Sequence, residues 1–122
     1  MTRRGMTSDE ALAAVGLQGK RDSYPSQLSG GEQQRVSIAR AIVKAPGVLL
    51  CDEPTGALDF ETGLQVLKTI YALRSDPGCT IVIVTHDADM ARIADLVITM
   101  RSGRIVDMRA NERPLAVDEA MR

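Results

Sequence analysis

The sequence predicts an α/β fold: a parallel sheet flanked by helices, with a small hairpin near its C-terminal end. Three observations predict it. Val48-Leu49-Leu50-Cys51 and Thr80-Ile81-Val82-Ile83-Val84-Thr85 are short apolar runs, as strands of a parallel sheet covered on both faces are. Between them Gly63, Val66, Leu67, Ile70 and Leu73 recur at helical spacing, which gives the strand–helix–strand order of a parallel sheet. Leu96-Val97-Ile98-Thr99-Met100 reads as a third strand, and Arg101-Ser102-Gly103-Arg104 as the hairpin turn into Ile105-Val106-Asp107.

Taken in order, Thr7-Ser8-Asp9-Glu10 carries a capping box for a short helix over Ala11-Leu12-Ala13-Ala14-Val15, stopped by Gly16. A polar loop over residues 17–27 follows. Its Gly19-Lys20 pair invites comparison with the phosphate-binding pattern G-x-x-x-x-G-K-[ST], but Ala14 and Arg21 break both ends of it. A second helix is expected over residues 30–44. Val36, Ala39 and Val43 share one face beside Ile38 and Ile42, and Arg35, Arg40 and Lys44 lie outside the stripe. Pro46-Gly47 ends that helix and Pro54-Thr55-Gly56 turns the chain after the first strand. Asp59 caps a third helix over residues 60–74, and Asp76-Pro77-Gly78 is a turn. Asp87 starts a short helix over residues 88–93. Residues 114–121 read as a short helix or a frayed tail.

Composition narrows the function classes. The chain has 122 residues, a one-domain length, with 44% hydrophobic and 25% charged residues, a globular balance. A net charge of −1 supplies no field for nucleic acid or an anionic membrane. Tyr24, Phe60 and Tyr71 are too few aromatics for a base-stacking platform, so no nucleic-acid partner is expected. No apolar run approaches the roughly 18 residues of a membrane span, so no direct membrane insertion is expected. Met1-Thr2-Arg3-Arg4-Gly5-Met6 has charge but no apolar run after it, unlike a signal peptide. Cys51 and Cys79, inside and beside the two strands, read as small buried hydrophobes and point to a reducing cytosol.

The chemistry gathers around Leu28-Ser29-Gly30-Gly31-Glu32. Ser29 and Glu32 form an S-x-x-E capping box, by itself the mark of an ordinary capped helix. Gly30 and Gly31 put no side chain in front of the first-turn N–H groups, whose dipole favours phosphate. Downstream, the strand from Val48 ends in two adjacent carboxylates, Asp52 and Glu53, and the strand from Thr80 ends at His86-Asp87. Ligands in parallel sheets bind beyond such strand ends, and paired acids there suit a metal–nucleotide complex.

This order closely resembles the ATPase subunits of ABC transporters. Leu28-Ser29-Gly30-Gly31-Glu32 matches their signature motif, the run ending in Asp52-Glu53 their Walker B motif, Gly56-Ala57-Leu58-Asp59 their D-loop and His86 their switch histidine. Residues 53–59 and Thr85-His86-Asp87 look most like the lipoprotein-release and macrolide-export branch. The resemblance implies a P-loop NTPase fold, with ATP and Mg²⁺ as cofactors. It implies that Asp52 holds Mg²⁺ through water, that Glu53 is the general base on the attacking water, and that His86 contacts the γ-phosphate. Ser29, Gly30, Gly31 and Glu32 would bind ATP held by a second ATPase subunit in a head-to-tail dimer, and Asp59 would pack across the same interface. A membrane permease subunit would be the other partner, with the ATPase cytoplasmic at the inner face of the cell membrane.

The resemblance covers only the back part of such a domain. Residues 1–47 match the region of the signature helix, 48–109 the Walker B to switch-histidine core, and 110–122 a tail. No phosphate-binding loop and no glutamine loop is found, so the expectation is a C-terminal fragment lacking the P-loop strand. Such a chain keeps the base and the sensor without the phosphate clamp, and is expected not to hydrolyse ATP alone. Without that strand, Thr80–Thr85 is expected to present an unpaired apolar edge. A competing reading is a non-catalytic regulatory fragment that presents its signature face to a full-length subunit. DNA-repair and chromosome-structure ATPases of the same superfamily fit less well, because the chain has neither heptad runs nor a basic face.

Overall fold

The computed structural model describes residues 7–56, 58–75 and 79–120. The Asp76-Pro77-Gly78 turn, Ala57 of the D-loop match, Met121 and the Met1–Met6 segment lie outside the described residues. The chain divides into two compact units, Met1–Val84 and Thr85–Arg122.

The first unit is built by local signals. Helix α1 (Ser8–Ala14) starts at the expected capping box, in which Glu10 N–H donates to Thr7 Oγ1 at 3.1 Å and Thr7 N–H to Glu10 Oε1 at 3.3 Å. It ends in a Schellman motif: Leu17 N–H donates to Leu12 O at 2.8 Å and Gly16 N–H to Ala13 O at 3.1 Å, with Gly16 at φ 76°. This turn buries Val15 and Leu17. Helix α2 (Gly30–Ile42) begins at Ser29 and stops two residues short of the expected end. Ala45 enters the left-handed region at φ 50°, immediately before Pro46, and a helix does not pass through that pair.

Strands β1 (Val48–Asp52) and β2 (Thr80–Val84) pair in parallel, with Leu49 opposite Ile81 and Cys51 opposite Ile83. Helix α3 (Phe60–Ala72) runs between them in sequence, and its last turn tightens into a 3₁₀ segment, Leu73–Ser75. Ile38, Ala39 and Ile42 of α2, Leu49 and Cys51 of β1, and Val66 and Ile70 of α3 form one core with Ala11, Val15 and Leu17. Full burial of side chains such as Val66 and Ile70 contributes about 2 kcal/mol each. The cysteines are free, Cys51 buried and Cys79 half-buried.

One expectation is corrected. The strands were expected to be covered on both faces, yet among the described residues of the first unit only one face is. Leu49 and Cys51 face the helices, while Leu50 is 75% exposed and Val84 59% exposed on the other side, in line with Val48 and Val82. The cause is that α1, α2 and α3 all contribute to the one core that holds Leu49 and Cys51. Among the described residues β2 is hydrogen-bonded to β1 alone, and the two strands form a sheet of their own.

The second unit carries α4 (Ala88–Ala91), capped by Asp87, whose Oδ1 accepts from Asp89 N–H at 2.9 Å. The helix is shorter than the six residues expected from sequence, because Asn111 takes over its end: the side-chain amide donates to both Ala91 O and Ala94 O at 2.8 Å. Strands β3 (Leu96–Arg101) and β4 (Arg104–Ala110) form the expected hairpin, longer on its second arm. Ser102 and Gly103 sit at φ 53° and 78°, as a two-residue type I′ turn requires. A register shift at Thr99/Met100 bulges the ladder. The C-terminal segment resolves as a short helix, α5 (Val117–Ala120), with Val117 and Ala120 buried.

Candidate functional site

The first unit holds all the sequence-predicted site residues except His86. Ser29 stands at the N-cap of α2 and is exposed. Its Oγ accepts from Glu32 N–H at 3.1 Å, and its own N–H donates to Glu32 Oε1 at 3.0 Å. Both halves of the capping box are thus made. The bond from the Ser29 amide is the main reason that the Glu32 carboxyl is held below its ordinary range, with the Lys20 charge assisting. Lys20 Nζ lies 3.7 Å from Glu32 Oε2, in the loop whose Gly19-Lys20 pair fails the phosphate-binding pattern. That pair is too exposed to contribute much stability, but it fixes which loop borders the signature turn.

The two glycines differ. Gly30 is exposed, and a β-carbon built on it would meet no heavy atom within 4 Å. The N–H groups beside it are approachable, which is what an anion at a helix N-terminus needs. Gly31 is buried, and a β-carbon there would run into the Thr62 methyl.

Asp52 and Glu53 follow β1 in the expected way. Asp52 ends the strand and is exposed on the open face, while Glu53 is half-buried. Glu53 has left the strand: φ is 46°, its N–H donates to Val84 O at 2.8 Å, and its carbonyl accepts from Gly56 N–H at 3.0 Å. A non-glycine residue in this region is uncommon and costs on the order of 1–3 kcal/mol, and such residues concentrate at functional sites. The β2 end and the Gly56 turn hold it there. Pro54, next in sequence, is almost fully buried and anchors the turn.

Asp59 caps α3, its Oδ2 accepting from Thr62 N–H at 3.3 Å. Hydrogen bonds from the Thr62 hydroxyl and then its amide hold the Asp59 carboxyl below the usual carboxylate range. Helix α3 links the groups. Its Thr62 meets Gly31 of the signature turn, and Gly63 lies where a β-carbon would be 3.4 Å from Thr55 Cβ in the turn after Glu53. His86 belongs to the second unit, exposed in the short segment between β2 and α4. Thr62 carries no motif of its own in the sequence, and Lys20 enters there only through the Gly19-Lys20 pair, without a link to Glu32. Thr62 had one local signal, its place three residues after a helix-capping Asp.

A family model described as "ABC transporter" matches residues 3–56, from the first helix through the paired acids. Over this stretch, and over nearly all of its length in the relatives that follow, the chain is similar to the ATP-binding part of ABC transporters. It is 50% identical over 118 residues to a probable export ATP-binding/permease protein of Pseudomonas fluorescens, covering 97% of this chain and 18% of that one. It is 46% identical over 117 residues to the macrolide export ATP-binding/permease protein MacB of Shigella dysenteriae, covering 96% of this chain and 17% of that one. An ATP-binding cassette solved as a dimer in a post-hydrolysis state, bound to ADP and Pi, superimposes with a TM-score of 0.71 at 38% identity, covering 83% of this chain and 44% of that one. The cbiO1 protein of Clostridium perfringens, part of an ABC transporter complex, gives a TM-score of 0.75 at 35% identity, covering 83% and 41%. The fold is thus a small α/β arrangement, a parallel strand pair with helices, that matches part of such ATP-binding cassettes. The chain spans less than a fifth of the length of the curated relatives it matches. No helix among its described residues is long and apolar enough to cross a membrane.

Proposed function

We propose that the chain supplies the signature, the general base and the sensor of an ATP-hydrolysing cassette that powers export or lipoprotein release. The observation that carries this is the pairing, in one unit, of an open Gly30 turn capped by Ser29 with a Glu53 held at a left-handed φ just past β1. Glu53 would take the proton of the attacking water, and His86 would contact the γ-phosphate. Ser29, Gly30, Gly31 and Glu32 would face ATP held by a second ATPase subunit, with Asp59 across the same interface. A permease subunit would tie the cassette to the cytoplasmic side of the membrane.

Among the described residues no group of three or more His, Cys, Asp or Glu is placed to hold a metal ion alone. Mg²⁺ takes one or two carboxylates, phosphate oxygens and several waters. Asp52, exposed at the strand end, offers one carboxylate. When bound, Mg²⁺ would offset charge on the phosphates. Asp52 would hold it through water, and Glu53 would accept a proton from the attacking water.

The 122 residues contain no G-x-x-x-x-G-K-[ST] pattern, and phosphoryl transfer depends on positioning and charge stabilisation at the phosphates. A polypeptide of these residues alone is therefore expected to show no Mg²⁺-dependent ATP hydrolysis above background. Turnover by it that vanishes in Glu53→Gln would contradict this. In a complete cassette, meaning this sequence together with a phosphate-binding loop, Glu53→Gln should lower the hydrolysis rate by roughly 10²–10⁴, the usual worth of a positioned base. A cassette that tolerates the change removes Glu53 from the mechanism.

A further inference from the structure

The side chain of Thr62 is shared between two motifs that sequence places 28 residues apart, at Gly31 and Asp59. Its amide donates to Asp59 Oδ2, and its hydroxyl also hydrogen-bonds that carboxylate. Its methyl fills the volume that a side chain on Gly31 would need. Gly31 is therefore not a second copy of Gly30: one glycine leaves the helix end open, and the other admits α3. On the next residue, Gly63 brings α3 beside Thr55, in the turn that follows Glu53: a β-carbon there would stand 3.4 Å from Thr55 Cβ. The first turn of α3 is thus wedged between the signature turn and the turn carrying the base.

We propose that Thr62 is a positioning residue, locking the Asp59 turn to the first turn of the signature helix so that both meet the partner subunit as one rigid piece. This rests on the reading that the signature acts on ATP held by that partner. Interiors pack closely enough that a methyl at such a joint sets the relative position of the two turns. The hydroxyl and the methyl then have separable duties, the first toward Asp59 and the second toward Gly31.

A double-mutant cycle in the complete cassette tests this, with Gly31→Ala, Thr62→Ser and the pair. Three quantities are read: the ATP concentration that half-drives dimerisation, the ATP affinity of the monomer, and the unfolding midpoint. Thr62→Ser removes only the methyl and should raise the dimerising ATP concentration about fourfold, the equivalent of one buried methyl. Gly31→Ala overpacks the joint and should raise it at least about tenfold. The pair should need less ATP than Gly31→Ala alone, because serine vacates the space the new methyl requires. Monomer affinity should stay at the parent value throughout. Additive effects on dimerisation overturn the proposal, and so does coupling seen only in the unfolding midpoint, which would mark a mere packing contact. If Gly31→Ala does not fold, Thr62→Ser decides alone, and an unchanged dimerising concentration overturns the idea. Ser29→Arg is run alongside. If it dimerises like the parent, the partner-site reading itself has failed and takes this proposal with it. If it is blocked while the cycle is additive, only the role of Thr62 has failed.

Discussion

Glu53 shows at the scale of one residue how stability and function pull apart. Its backbone sits at φ 46°, where a glycine would rest without strain. Two hydrogen bonds, to Val84 O and from Gly56 N–H, keep it there. Glu53→Gly should therefore leave the fold as stable as the parent or stabilise it by up to about 1 kcal/mol, while removing the proposed base. Thermal unfolding of parent and variant checks this, and a loss of stability greater than about 1 kcal/mol would mean that the Glu53 side chain, not its backbone strain, dominates. Glu32 and Asp59 are the contrasting case. Their carboxyls are held low by hydrogen bonds from Ser29 and Thr62, so the stabilisation each gives is present at neutral pH and fades only as pH falls through the lowered value.

Among the elements, those with a local cause were legible in the sequence. The S-x-x-E box at Ser29, the cap at Asp59 and the Ser102-Gly103 turn each depend on residues within four of one another, and the structure makes all three. The joints between elements were not legible. Asn111 closes α4 through carbonyls 17 and 20 residues away, and nothing in its neighbourhood marks that role. Thr62 meets Gly31 across an equally non-local gap. Periodicity names a helix's buried face without naming what lies against it. That is also why the apolar runs of β1 and β2 promised two covered faces and the structure covers one. Asn111→Ala strands two half-buried carbonyls and should destabilise the second unit by roughly 1–3 kcal/mol. Amide exchange in α4 should speed up accordingly, and unchanged exchange at Met90 and Ala91 would show that water replaces the amide at no cost.

On the scale of the molecule, the motifs fall into a sensible division of labour. The open Gly30 turn, the Asp59 cap and the α3 wedge form one surface-bearing piece, and Asp52 and Glu53 stand past the end of β1. The central claim is that the signature of one subunit serves nucleotide held by another while Glu53 serves its own. Mixing two inactive variants of the complete cassette tests this most directly. Ser29→Arg and Glu53→Gln each spoil both sites of a homodimer. In a mixed dimer both defects fall on one shared site and the other is intact. The mixture should recover about a quarter of parental ATP hydrolysis, since half the dimers are mixed and one site in each works. A mixture no more active than its two components would place signature and base in the same site of the same subunit, and contradict the claim.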